Sequence, residues 1–427
     1  MAEGAVASIR LWGHGVGAVA EDPATGTVVF EYAESFRESG LEISPLRLPL
    51  TLRGPQSFPE LARSEAFQGL PGVLADALPD AFGNAVIRRY FEARGQPGAA
   101  LGPVQRLLYL GTRAMGALEF HPPLHGRRVR ATEEALEVAA LVEQARRVIE
   151  GDTAVAVPEM MQVGASAGGA RAKALIFWNR EGRQVRSAFA KPQPGDEPWM
   201  IKFDGVSAGH GGHALSGEFR PGPWCRIEYA YSLMARAAGI AMAETHLLRE
   251  REFAHFMTRR FDRVGDQRLH LHSLGGLLHA DYNVRQLVSY EAWFRAIRAL
   301  GLGQPVVEEA FRRMVFNVAA RNQDDHVKNI AFLMHPDGTW HLAPAFDLTW
   351  ATAGRWAATH QMTARGKDDQ FTREDLLAIG AAFDVRRDGQ EIIDAVVESL
   401  DLWPSAAKEA GINAEVIAEV GRTFRRC

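Results

Sequence analysis

The octet Asn322-Gln323-Asp324-Asp325-His326-Val327-Lys328-Asn329 constrains this chain more than any other stretch, crowding two acids, three amides, a His and a Lys into eight positions. Upstream, Phe311, Met314, Val315 and Val318 fall on one helical face, so a helix is expected to deliver the chain to Asn322 and stop, which makes the octet a loop. After it, Ile330 to Met334 reads as a buried strand, His335-Pro336-Asp337-Gly338 as a turn, and Trp340 to Ala343 as a returning strand. Antiparallel partners lie about 5 Å apart. An in-register hairpin therefore brings its flanks together and is expected to place Asp347 close to Asn329 and Asp324.

The chemistry such a cluster suits is phosphoryl transfer, in which a protein mainly positions groups and neutralises charge. Asp324 and Asn329 show D-x-x-x-x-N spacing. At that spacing in protein kinases the Asp accepts the hydroxyl proton and the Asn holds Mg²⁺, while a later Asp beyond a hairpin holds a bridging Mg²⁺. Asp347, in Ala345-Phe346-Asp347-Leu348, can take that last role. An isolated spacing of this kind is more often a loop whose Asp and Asn cap helices and close turns; the hairpin and the trailing acid shift that balance. Two other classes stay open on the residues alone. Asp324, Asp325, His326 and Asp347 could hold two metals in a metal-dependent phosphodiesterase or nuclease, or the cleft could serve a non-catalytic binding module.

The 427 residues, 47% hydrophobic and 23% charged, describe a soluble globular chain of two or three domains. A net charge of -4 argues against a chain that grips nucleic acid through its own overall field, so any role with DNA is expected to be indirect. Two cysteines, Cys225 and Cys427, make no disulfide framework; the start carries no leader pattern and no apolar run reaches membrane-spanning length, so the expectation is a cytoplasmic protein. Only six of the 48 basic residues are Lys. Where Arg serves so widely as the surface cation, a retained Lys marks a place that wants a compact ammonium, and Lys173, Lys202 and Lys328 all lie in stretches singled out on other grounds.

Along the chain, Ser8 to Val16 and Thr27 to Tyr32 suggest a small N-terminal sheet, and Leu70 to Gly83 is dense in turns before a helix from Ala81 to Arg94. A helix from about Glu133 to Glu150 follows a boundary placed near Pro122 to Thr132. The small-residue stretch Val163 to Lys173, with Ser166, Ala167, Gly168 and Gly169 and a strand expected from Ala174 to Trp178 after it, could let backbone amides approach phosphate oxygens, although such loops are more often plain connections. Lys202 sits on the apolar strand Trp199 to Phe203, where a phosphate partner would explain a buried ammonium and an edge-strand Lys reaching solvent is the alternative. Glu228 stands beside a helical stripe of Ile227, Ala230, Tyr231, Met234 and Ala238 and could pair with Lys202, a solvated or purely structural Glu being the equal alternative. His210, His213, His270, His272 and His279 lack the spacing of a zinc site.

Taken together, Val16 to Pro49, Leu70 to Gly83, Ser166 to Lys173, Ile201-Lys202, Arg260-Phe261-Asp262-Arg263, Asp324 to Asn329 and Pro344 to Asp347 resemble the HipA-type serine/threonine kinases, toxin halves of bacterial type II toxin-antitoxin pairs. The pattern Asp324, His326, Asn329 is also similar to the catalytic loop of phosphoinositide kinases. The resemblance implies an α+β fold: a small N-terminal subdomain over residues 1–125 and a two-lobed, protein-kinase-like core over 126–427, sheet-rich to about 262 and helical after it. It further implies ATP and Mg²⁺ as cofactors, with Ser166 to Gly169 and Lys202 about the phosphates and Phe261 at the adenine. Asp324 would be the base, His326 would stabilise transferred charge, and Asn329 and Asp347 would hold the metal. Ser166 would be a self-phosphorylation site that switches the enzyme off. The implied partners are a protein substrate, an aminoacyl-tRNA synthetase being one kind, and a small helix-turn-helix antitoxin that supplies the link to DNA. Two departures from the pattern are Arg259, where some members carry an acid, and Asp325, where a small residue is usual; two adjacent acids would raise the pKa of either.

Overall fold

In the computed structural model, residues 4–79, 81–92, 101–124, 136, 138–150, 171–207, 221–352, 356–385 and 388–426 are described. Their fold is α+β, and they fall into two compact units that do not follow a single cut in the chain. The first comprises residues 1–201, 260–283 and 331–341; the second comprises 202–259, 284–330 and 342–427.

The first unit opens with an antiparallel sheet in the order Gln56–Ser57, Val28–Tyr32, His14–Glu21, Val6–Leu11, Leu118–His121. Strict alternation along Val6–Leu11 buries Ala7, Ile9 and Leu11 on one face. Period-two patterning of this kind fixes register, because a one-residue slip would turn those side chains to solvent. Val104 and Leu107 of the helix Pro103–Leu110 join the same core. The unit also holds the antiparallel pair Arg171–Asn179 and Gln184–Ser187, and a three-stranded sheet in the order His270–Ser273, Ala331–Met334, Trp340–Leu342. The last two strands are the hairpin expected from sequence, with the His335 N–H donating to the Thr339 carbonyl at 3.0 Å across the turn.

A buried polar cluster organises this unit. Asp76 accepts from the Ser273 N–H and Oγ, each at 2.6 Å, and from His272 Nδ1 at 2.7 Å, while His272 Nε2 lies 3.0 Å from Ser44 Oγ. That is a Ser-His-Asp chain, but Ser44 and His272 are both 0% exposed, so it joins chain-distant segments and meets no substrate. His270 donates to the Ile43 carbonyl at 2.9 Å, and the Gly72 N–H donates to His279 at 3.0 Å, which gives all three histidines structural duties. His210 and His213 lie outside the described residues. Beside the cluster, the short helices Gly72–Ala75 and Leu274–Leu278 meet through their glycines: a Cβ on Gly72 would stand 2.0 Å from the Gly276 carbonyl oxygen.

The strand Asp196–Ser207 passes from the first unit into the second. In the second unit Thr245–Glu250 and Phe253–Arg259 pair antiparallel, and Asp204 is tied to the latter strand by its N–H to His255 Nδ1 at 3.0 Å and by its carboxylate to the Ala254 N–H at 3.0 Å. The unit also holds the helices Trp224–Ala237, Tyr290–Ala299, Gln304–Ala319, Arg373–Ala382, Asp388–Ser399, Trp403–Ala410 and Ala414–Thr423. Buried Tyr231 on the first of these donates to the Ala320 carbonyl at 2.6 Å, anchoring the end of Gln304–Ala319.

Candidate active site

The helix Gln304–Ala319 ends as its sequence suggests: Ala320 donates to Phe316, Arg321 turns into the left-handed region at φ 60°, and the Asn322 N–H returns to the Asn317 carbonyl at 2.9 Å. The octet that follows is a loop closed by a single helical turn, Val327–Asn329. Asn329 is fixed from within the octet, its Nδ2 donating to the Asp324 carbonyl at 3.0 Å, which leaves the side-chain oxygen as the atom it can offer a cation.

Asp347 arrives along a well-braced path. Buried Arg313 pairs with Glu309 at 2.8 Å and donates to the Ala343 carbonyl at 3.0 Å, and the Ala345 N–H donates to the Ala241 carbonyl at 2.8 Å. Asp347 itself adopts φ 58°, a left-handed conformation that costs a non-glycine residue about 1 kcal/mol or more and that surrounding contacts must hold. One such contact is an ion pair between its Oδ1 and Lys202 Nζ.

Lys202 is 4% exposed on its apolar strand. Its ammonium also meets Glu228 Oε1 at 2.6 Å, Glu228 being 2% exposed on the helix Trp224–Ala237, and lies 5.8 Å from the centre of the Phe256 ring. One cation thus ties the strand, the helix and the segment carrying Asp347, and the edge-strand alternative for Lys202 falls away. The charge needs such company, because an isolated ammonium in an apolar setting is strongly disfavoured.

Asp324 keeps 38% of its side chain exposed and feels the charge of Asp347. Partial burial raises its carboxyl above the usual range, His326 and a hydrogen bond from Trp356 oppose the rise, and the Asp347 and Asp325 carboxylates add to it. Trp356 Nε1 donates to Asp324 Oδ1 at 2.7 Å, and His326 Nε2 stands 3.8 Å from the same oxygen. Asp325 goes the other way. Burial alone would raise it, but the His360 charge, hydrogen bonds from His360 and Tyr290, and the Gln361 N–H outweigh that and hold it below the usual range. Its Oδ2 receives Tyr290 at 2.5 Å and His360 Nδ1 at 2.8 Å, and its Oδ1 receives the Gln361 N–H at 2.7 Å. Of the two adjacent acids only Asp324 is raised, and Asp325 is turned into a polar core completed by Asn317 and Asn322.

Lys202, Asp324, His326, Asn329 and Asp347 therefore all lie in the second unit and are linked by contact or by charge, with Glu228 added. Phe261 belongs to the first unit, half-buried in the turn after Phe253–Arg259. Ser166, Ala167, Gly168 and Gly169 lie outside the described residues. Arg259, the departure beside Phe261, is exposed and stands 3.7 Å from Glu244. Trp356, Tyr290, His360 and Gln361 were not legible as site residues, since no spacing connects them to the octet. The hard oxygens of Asp347 and Asn329 suit Mg²⁺, and the compact Lys202 ammonium suits a phosphate, so the residues present fit the cofactors implied above.

Residues 165–403 match the model of the HipA-like C-terminal domain, and residues 7–121 match that of the HipA N-terminal domain. Among solved structures, the chain is similar to HipA of Shewanella oneidensis MR-1, solved with HipB and its operator DNA: 16% identity, 97% of this chain and 95% of that chain covered, TM-score 0.66. A weaker likeness, at 15% identity and TM-score 0.34, is to the Helicobacter pylori proinflammatory kinase CtkA, covering 53% of this chain and 88% of that one. A search of the curated proteins gave no match. With a C-terminal family domain that spans more than half of the sequence and an N-terminal one before it, the chain belongs to the HipA family.

Proposed function

We propose that this chain is an ATP-dependent serine/threonine protein kinase with a two-lobed kinase-like core, acting as the toxin of a type II toxin-antitoxin pair. The observation that carries the reading is the Lys202 ammonium held by Glu228 and Asp347 together, with Asp324 within electrostatic reach, in a chain of the HipA family. Lys202 would bind phosphate oxygens, and Asn329 and Asp347 would hold Mg²⁺. Bound Mg-ATP would supply the γ-phosphoryl group and much of the charge neutralisation that its transfer requires. Asp324 would orient the acceptor hydroxyl and take its proton through Oδ2, the oxygen opposite the Trp356 bond. His326 would stabilise transferred charge, and Phe261 would serve the nucleotide base.

The environment of Asp325 favours this reading over a two-metal phosphodiesterase. Both of its oxygens are already engaged by Tyr290, His360 and Gln361 in a buried setting, so it makes a poor second metal ligand. The likeness to the Shewanella protein supports a small helix-turn-helix antitoxin as partner, with DNA reached through it. No helix among the described residues is long and apolar enough to cross a membrane. The proposed target is a protein met in the cytoplasm, an aminoacyl-tRNA synthetase being one kind.

Regulation by Ser166 is part of the proposal. If, as the family resemblance implies, Ser166 serves the ATP phosphates, a phosphate on it would set nearly two negative charges against anionic ATP, so modification and nucleotide binding should exclude each other. Intact-mass spectrometry and nucleotide titration before and after Mg-ATP treatment test this. The expected result is one added phosphoryl group at Ser166 with loss of ATP affinity, absent in Ser166→Ala; modification elsewhere, or full affinity in the modified form, would refute the switch. For the kinase itself, γ-phosphate labelling of protein that needs both ATP and Mg²⁺ is expected, whereas metal-dependent hydrolysis without nucleotide would favour the phosphodiesterase.

A further inference from the structure

Asp324 and Asp325 are neighbours in sequence, yet a hydrogen-bonded ring through residues 356–361 also joins them. The Gln361 N–H donates to Asp325 Oδ1 at 2.7 Å; Gln361 Nε2 donates to the Trp356 carbonyl at 2.6 Å; Trp356 Nε1 donates to Asp324 Oδ1 at 2.7 Å. The ring is braced on both sides. Gln361 Nε2 also reaches the Gln323 carbonyl at 3.2 Å, and the neighbouring His360 is 0% exposed against Asp325. Just before this stretch, the Gln323 N–H donates to the Ala351 carbonyl at 3.0 Å and the Ala351 N–H returns to Arg321 at 3.1 Å.

Asp324 has over a third of its side chain in solvent, and a carboxylate so placed can turn among rotamers. The indole bond selects one orientation and spends one oxygen, so that Oδ2 is presented in a fixed direction. Asp325 contributes at one remove. Being fully engaged and buried, it pins Gln361, and Gln361 pins the backbone of Trp356.

We propose that Trp356 is a positioning residue for the Asp324 carboxylate, and that Asp325 acts through Gln361 to keep the indole within reach. The inference rests on the reading of Asp324 as the base of a kinase. It gives the acid at position 325 a reason: a small residue there could not hold the segment that carries the indole. Displacing a reacting group by about 1 Å can cost about a hundredfold in rate while leaving binding of the other reactant untouched.

Trp356→Phe keeps an aromatic ring and removes the N–H; Gln361→Ala removes the bond to the Trp356 carbonyl and keeps the backbone donor to Asp325. In the full chain with Mg-ATP, with incorporation of γ-phosphate into protein as the measure, Trp356→Phe should lower kcat about 10- to 100-fold with the KM for ATP unchanged within about twofold. Gln361→Ala should move kcat in the same direction by a smaller factor. Asp324→Asn, run alongside, separates the two claims. Transfer that survives Asp324→Asn at the wild-type rate overturns the base itself, whereas loss in Asp324→Asn with an unchanged kcat in Trp356→Phe overturns only the positioning role. A rise in the KM for ATP that accounts for the whole loss in Trp356→Phe would mark a packing residue and also overturn it. Independently of activity, protein carrying ¹⁵N-tryptophan should show one indole N–H resonance that vanishes in Trp356→Phe and shifts in Asp324→Asn. If Asp324→Asn leaves that resonance in place, the contact does not operate in solution and the proposal falls.

Discussion

Replacing Lys202 by Met should unfold the site more than it empties it, and a second substitution should reveal why. The ammonium and Glu228 Oε1 are 2.6 Å apart, with side chains 6% and 2% exposed. At an effective dielectric of about 20 that separation corresponds to roughly 6 kcal/mol of attraction, most of it consumed in desolvating the two groups. Met fills the space of the Lys stem but leaves the buried Glu228 carboxylate without its ammonium, a loss of about 3–5 kcal/mol. Asp347, 23% exposed, can turn to water and adds little to that cost. Glu228→Gln made in the Lys202→Met background removes the stranded charge and keeps the shape, so the double variant should be at least about 2 kcal/mol more stable than the sum of the single effects implies. Urea denaturation followed by tryptophan fluorescence measures all four corners of the cycle. Nucleotide affinity should stay low in the double variant even as stability returns, which separates the proposed phosphate-binding role of Lys202 from its structural one. Additivity within about 0.5 kcal/mol would show that the pair is not coupled and would refute the reasoning.

Three further outcomes follow from the same contacts. Asp76→Ala strands the Ser273 N–H, Ser273 Oγ and His272 Nδ1 in a buried setting and should cost about 3–5 kcal/mol in chemical denaturation; a loss under 1 kcal/mol would mean the cluster is not holding the first unit together. His270 is pushed down to about 3 and His279 to about 4, each chiefly by burial, so the unfolded chain binds more protons than the native one below the ordinary value of 6.5. Their contribution to stability is complete above pH 6.5 and is lost as pH falls toward 3–4, with a combined slope near pH 5 of about 2–3 kcal/mol per pH unit; His270→Asn should reduce the measured slope by about half that amount, and an unchanged slope would contradict the assignment. Asp347→Ala should raise the Kd for Mg-ATP at least about tenfold by titration calorimetry while Asp324→Asn changes it less than about threefold, and equal effects would undo the division of labour between the two acids.

The local elements that carry the candidate site could be read from local pattern. The stripe Phe311, Met314, Val315, Val318 correctly ends before Asn322, and the strands Ala331–Met334 and Trp340–Leu342 flank the expected turn, because period and turn residues are encoded within a few positions of each other. The burial of Lys202 was legible for a different reason, since a charge on an apolar strand asks for a partner; that Glu228 supplies it was one of two equal readings of the sequence and is settled only by the contact itself. What could not be read depends on contacts between segments with no shared period. Asp76 meets His272, and Asp325 meets Tyr290 and His360, across sequence separations that composition does not mark. Asp325 shows the consequence. As a bare neighbour of Asp324 it promises a mutual rise in pKa, but its partners reverse the shift for Asp325 and leave burial as the main cause of the rise at Asp324. Trp356 carries no motif at all; the one available hint is that a large donor-bearing aromatic follows Asp347 closely in a chain with only nine tryptophans. The two compact units take non-contiguous stretches of chain, which no linker composition could announce.

The most direct measurement of the central claim is transfer of radioactive γ-phosphate from ATP to protein by the wild-type chain and by Asp324→Asn, each with Mg²⁺ and with the metal chelated. Labelling by the wild type that requires Mg²⁺, together with loss of at least about a hundredfold in Asp324→Asn at unchanged nucleotide affinity, is the predicted result. Labelling by Asp324→Asn at the wild-type rate, or no ATP- and Mg²⁺-dependent labelling by the wild type on any protein including its cognate target, would contradict it.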